Sequence, residues 1–109
     1  MKILLDENID VRFKRNFPVI YDVYTVRDMN WNGIKNGKLL QLLAEHNFDC
    51  WVVVDKNLPY QQNIHNIPCL IIVLDVFKNI LKYIEPLIPQ ILEALNNPAT
   101  NKIIVINER

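Results

Sequence analysis

At 109 residues, half of them apolar and with a formal net charge of zero, the chain is long enough for one globular domain, residues 1–109, and too short for two. The apolar fraction argues against a disordered chain, and the charge balance leaves no global basic field of the kind that many nucleic-acid binders carry. The apolar start is cut off at Asp6, no run reaches the ~18 apolar residues of a spanning helix, and Cys50 and Cys69 read as buried thiols of a reducing compartment. A cytoplasmic protein with no membrane partner is expected.

Ile3-Leu4-Leu5 stops abruptly at the carboxylates of Asp6 and Glu7, and an apolar run without alternation suits a strand covered on both faces. Asn8 or Asp10 can cap a short helix to about Phe17, with Val11 and Phe13 as core candidates and Arg12, Lys14 and Arg15 giving basic character; Pro18 ends it. Residues 21–26 alternate and are β-branched or aromatic, which predicts a second, more exposed strand. Asp28 to Gly37 contains both glycines of the chain and predicts a loop with special backbone conformations. A helix then runs from about Asn36 to His46, with Leu39, Leu40, Leu42 and Leu43 as its apolar face.

Trp51-Val52-Val53-Val54 is a strand that runs into Asp55. Residues 56–66 are rich in amides, and Leu58-Pro59-Tyr60 can start a helical turn. Pro68 opens a strand that ends in Asp75. Phe77 to Glu85 and Leu87 to Asn96 carry helical periodicity, with a break expected at Glu85-Pro86 and Pro89 in the first turn of the second helix. Lys102 to Ile106 is a last strand. The alternation of strands and helices predicts a three-layer α/β/α sandwich on a mostly parallel sheet.

Three apolar strands thus end in Asp6, Asp55 and Asp75, and in parallel α/β folds ligands sit at the carboxyl ends of the strands. One Asp in such a place is an ordinary cap or turn residue; the recurrence is what points to a site. Two carboxylates brought to about 4 Å repel by roughly 4 kcal/mol at a partly screened position, so such a cluster needs a cation or a shared proton. His46 and His65 read as surface residues, and no Cys has ligand spacing, which disfavours zinc and favours Mg²⁺ or Mn²⁺ on oxygen ligands. The chemistry of such an ion is phosphodiester hydrolysis or phosphoryl transfer. For nucleic-acid contact the candidates are Arg12, Lys35, Lys38 and Lys56, with Trp31 as a stacking surface. Each of these is equally readable as part of a solvated face, with Trp31 capping the core.

Ile3-Leu4-Leu5-Asp6-Glu7-Asn8, Tyr24-Thr25-Val26-Arg27-Asp28-Met29, Trp31-Asn32-Gly33, Val53-Val54-Asp55-Lys56-Asn57-Leu58 and Ile72-Val73-Leu74-Asp75 resemble, in order and over nearly the whole chain, the compact PIN-like proteins of bacteria. The resemblance implies a PIN-type α/β/α sandwich, a Mg²⁺- or Mn²⁺-dependent ribonuclease acting on RNA, and membership of a toxin–antitoxin module with an antitoxin protein as partner. By position it implies catalytic and metal-ligating roles for Asp6 and Asp55, with Glu7, Asp28 and Asp75 as further candidate ligands. A homodimer is compatible with it. One departure stands out: where many relatives carry an acid at the start of the helix after the glycine-containing loop, this chain has Asn36 and Lys38.

Two other readings remain open. A catalytically degenerate PIN-like module would bind a partner protein or RNA, in keeping with zero net charge and Lys38. A receiver-like phospho-accepting domain would also use Asp6, Glu7 and Asp55, but it would need a hydroxyl after its fourth strand and a Lys after its fifth, where this chain has Leu74-Asp75 and Ile106-Asn107. Calcium is disfavoured, because the EF-hand-like start at Asp28 reaches Leu39 at the position that needs a bidentate Glu.

Overall fold

A computed structural model of the chain describes residues 1–54, 67–96 and 103–108. Five strands, β1 (Lys2–Leu5), β2 (Asp22–Thr25), β3 (Cys50–Val53), β4 (Leu70–Asp75) and β5 (Ile103–Asn107), form one sheet in the order β2-β1-β3-β4-β5. Every pairing is parallel. Three helices, α1 (Asn36–Glu45), α2 (Leu81–Ile84) and α3 (Ile88–Asn96), and two 3₁₀ helices at Val11–Asn16 and Glu85–Leu87 complete the described elements.

The apolar runs are apolar because both faces of the sheet are covered. β3 is buried at all four positions and β4 at its first five. Successive residues feed opposite sides, as the pleat requires. Ile3, Leu5, Cys50, Val52, Ile72 and Leu74 pack with Phe13, Phe17, Ile84, Leu87, Ile91 and Leu95, which puts the 3₁₀ helix, α2 and α3 on one face. Leu4, Trp51, Val53, Ile71 and Val73 pack with Leu39, Leu43, Trp31 and Phe48, which puts α1 and the loop before it on the other. The result is an α/β/α sandwich, as the alternation of elements predicts.

Local chemistry explains several boundaries. Asp10 starts the 3₁₀ helix by accepting the Arg12 backbone N–H at 2.9 Å. α1 ends in a Schellman turn, in which Phe48 N–H donates to Leu43 C=O and Asn47 N–H to Ala44 C=O, with Asn47 at φ 59° in the left-handed region. Asn30 (φ 61°) and Gly33 (φ 79°) carry the special conformations expected of the loop. Gly37 does not, since it lies in the first turn of α1.

Two expectations are corrected. Val11 is exposed, because only Phe13 of the 3₁₀ helix turns fully inward. The expected helix from Phe77 begins only at Leu81, since Ile80 is extended (φ −136°, ψ 158°) and serves as its cap. From there α2, a 3₁₀ turn at Glu85–Leu87 and α3 run on without a gap, and Pro86 and Pro89 sit at helix starts where a missing N–H costs little.

Candidate functional site at the carboxyl ends of β1 and β3

In this strand order the chain leaves β1 toward β2 on one side and returns to β3 on the other, so the carboxyl ends of β1 and β3 flank a topological switch point. Crevices at that point are where open α/β sheets bind ligands. A cleft of about 560 Å³ opens there, lined among the described residues by Asp6, Asn8, Asn36, Trp51, Val53, Val54 and Asn79. Its volume suits a nucleotide-sized ligand.

Each side chain arrives by a separate route. Asp6 is the first residue after β1, and its backbone N–H donates to Val52 C=O at 3.0 Å, which fixes the end of β1 against β3. Asn36 is the first residue of α1. Asn79 belongs to the bent segment before α2 and donates its Nδ2–H to the Asn8 carbonyl at 2.6 Å, tying the loop after β4 to the loop after β1. Trp51 rises from the middle of β3, fully buried, and its indole Nε1 has no hydrogen-bond partner among the described residues.

The other predicted acids lie elsewhere. Glu7 Oε1 accepts the Gly33 N–H at 2.6 Å, so its carboxylate anchors the loop before α1. Glu7 and Asp6 also border a small hollow of about 50 Å³ with Arg27 and Asn32. Asp28 folds back on its own turn: its carboxylate accepts the Thr25 N–H at 2.9 Å and a Lys14 ammonium hydrogen at 3.0 Å, and its N–H donates to Thr25 Oγ1 at 3.0 Å. Asp75 closes β4 opposite Asn107 of β5. Among the described residues no three His, Cys, Asp or Glu side chains are grouped to hold a metal, so Asp6, Glu7, Asp28 and Asp75 do not form a ligand set by themselves. Asp55 and Lys56, which follow Val54 of the cleft, lie outside the described residues, as does the turn expected at Leu58–Tyr60.

Asp28 is thereby a structural residue. The Thr25 N–H, and after it Lys14, hold its carboxyl below the ordinary 3.8. A depressed carboxylate contributes stability that is complete above its unfolded value and is lost as pH falls through the folded one. Asp28→Ala should therefore cost about 1–2 kcal/mol at pH 7, from hydrogen bonds to a charged group. Urea unfolding of both proteins checks it; the difference should shrink as pH drops below 3.8, and an unchanged difference at pH 2 would contradict the assignment.

The basic candidates divide. Arg12 is held by Asp10, with a guanidinium N–H donating at 2.6 Å, and this pairing draws the Asp10 carboxyl down to about 2. Arg12 is thus already matched by its own neighbour. Lys35 and Lys38 are exposed at the start of α1, whose first residue lines the cleft. Trp31 is corrected as a stacking surface: it is buried, packed edge-on against Phe48 and His46 at centroid distances of 5.8 and 5.1 Å. It offers no open face to a base.

Sequence reasoning did not single out Trp51 or Asn79 as site residues, and Asn8 and Asn36 entered only as a cap and a departure from a pattern. The usable signal was position, since Asn8 and Asn79 closely follow the ends of β1 and β4. Comparison of the chain with protein-family models, with curated proteins and with solved structures finds no match. The likeness to PIN-like proteins therefore rests on the residues that carry it.

Proposed function

We propose that the chain is a PIN-like, Mg²⁺- or Mn²⁺-dependent ribonuclease, the toxin of a toxin–antitoxin module whose antitoxin protein is its partner. The observation that carries this reading is the position of Asp6, a strand-end carboxylate in a cleft at the β1/β3 switch point. The described donors in the cleft, one carboxylate and the amides of Asn8, Asn36 and Asn79, are oxygen ligands, with no described thiol or imidazole among them. Such a set fits Mg²⁺, which keeps several waters and needs only one or two carboxylates with substrate phosphate. Asp6 would hold the ion, with Asp55 as its companion by resemblance. The bound ion would supply charge stabilisation and an activated water. The amides would orient the scissile phosphate, and the hydrogen bond between Asn79 and Asn8 keeps that wall of the cleft in place.

Purified protein with labelled single-stranded RNA should show cleavage in Mg²⁺ or Mn²⁺ and none in excess chelator. Equal cleavage in chelator would remove the reading, and tight RNA binding without cleavage would favour the degenerate module. Metal binding has its own readout: at free metal a hundred times the dissociation constant, the folded state should gain about 2.7 kcal/mol. Thermal melts across a Mn²⁺ series check this, and a flat series would count against a metal site.

The strand order also suits a receiver-like domain, since flavodoxin-like receivers share it. The register works against that reading. Asp75 and Asn107 face each other at the closing ends of β4 and β5, where a receiver needs a hydroxyl and a Lys.

A further inference from the structure

The two edges of the sheet are built differently. In β2 the N–H groups of Asp22 and, just beyond the strand, Val26 donate inward to Met1 and Leu5 carbonyls, so by alternation the Thr25 N–H faces away from the sheet. That outward N–H is taken by the Asp28 carboxylate at 2.9 Å, which also pairs with Lys14 at 3.0 Å. Charged groups on an edge block its pairing with another chain. The β2 edge is guarded.

The β5 edge has no such guard among the described residues. Ile103-Ile104-Val105-Ile106 is uncharged and β-branched throughout, the composition of an interior strand covered on both faces, yet the structure sets it at an edge. β3 is buried at all four positions and β4 at its first five, whereas β5 is buried only at Ile106. Val105 is 51% exposed, although Val73, its partner across the β4 pairing, is 1% exposed. An apolar edge strand of this kind is a template for a further strand.

Charge selects the occupant. The strand is matched by one equally uncharged and β-branched, which a second β5 is, and with zero net charge two copies approach without general repulsion. A parallel pair would bring the two Glu108 carboxylates to about 5 Å. An antiparallel pair centred on Val105 holds them roughly 20 Å apart, beyond the ~8 Å screening length at physiological salt. In that register the sequence sets Glu108 of each copy opposite Lys102 of the other, a match of opposite charges at both ends; Lys102 itself lies outside the described residues.

We propose that β5 is the interface of a homodimer, in which it pairs antiparallel with β5 of a second copy about a twofold axis at Val105. The two sheets then join edge to edge. Val105 lies against its own copy and Ile104 against Ile106 of the other, which covers the side chains that a single copy leaves in water. The pairing is isologous and closes at two copies, and the guarded β2 edges stop the joined sheet from growing. β4 separates the interface from the cleft at β1 and β3, so the inference stands apart from the ribonuclease reading.

Sedimentation velocity from micromolar to millimolar protein should show a dimer that dissociates on dilution. Val105→Lys sets two ammonium groups face to face at the axis and should weaken the dimer about a hundredfold, with the circular dichroism of the fold unchanged. Val105→Cys tests the register, since mild oxidation should link the two copies by a disulfide. Val19→Cys, at a position 97% exposed outside β5, controls for chance collision and should link far more slowly; Cys50 and Cys69 are buried and stay silent. A wild type that remains monomeric at millimolar concentration overturns the proposal. So does a dimer that Val105→Lys leaves intact, or one in which Val105→Cys links no faster than Val19→Cys. Growth beyond two copies would show an open second edge and overturn the closed pairing.

Discussion

Asp6→Asn should lower metal-dependent RNA cleavage by about a hundredfold or more, because losing the ligand removes metal occupancy and the activated water together, and each tenfold corresponds to about 1.4 kcal/mol of barrier. The substitution keeps the shape of the side chain. The hydrogen bond that seats residue 6 against β3 is made by its backbone N–H to Val52, so the strand end survives the change. Initial rates at saturating Mn²⁺, with melts to confirm folding, measure the effect. A rate within a factor of two of wild type would mean that the cleft at β1 and β3 is not where the chemistry occurs.

Phe13→Ala is expected to cost about 3–5 kcal/mol, the range for emptying a buried aromatic position. Phe13 is fully buried and meets Phe17 edge-on at 5.5 Å, and these two rings are what the 3₁₀ helix contributes to the core beneath β1 and β2. Total stabilities run to about 5–15 kcal/mol, so the variant should sit near the edge of folding. Urea midpoints give the number. A loss under about 1 kcal/mol would show that the segment after Asp6 is only loosely laid on the sheet, and would weaken any argument that Asn8 is held in position.

Much of the fold is legible because burial on both faces leaves a plain mark. The runs at 3–5, 51–54 and 70–74 have no polar alternation, and the structure makes each a parallel strand, with Asp6 and Asp75 at the expected ends. The order of the strands is not legible in this way, since the pairing of Ile3 with Cys50 is decided by packing between distant segments. Trp31 misled because one aromatic residue among asparagines has no periodicity to reveal which way it faces; its burial follows from a loop folded over Phe48. Val11 misled because a 3₁₀ helix repeats every three residues, and an α-helical reading assigns its inner face wrongly. Trp51 hid in the opposite sense, for in an apolar run its indole counts as hydrophobic bulk and its single donor goes unnoticed. The two glycines share one loop in sequence, yet only Gly33 takes a positive φ, while Gly37 lies in the first turn of a helix.

The described strands form no hairpin, and this sets the tempo at which the sheet can assemble. The nearest partners, Lys2 and Asp22, are twenty residues apart, and Ile3 waits for Cys50. A ribosome adding about 5–20 residues each second leaves β1 without its β3 neighbour for a few seconds after it is made. Sheets built only from such distant pairings fold in roughly milliseconds to seconds even once complete, because every loop must close before any contact rewards it. Asp6 is thus made well before the β3 strand that completes its surroundings. A chain halted before β3 would display an apolar strand tipped with acid and have no cleft at all.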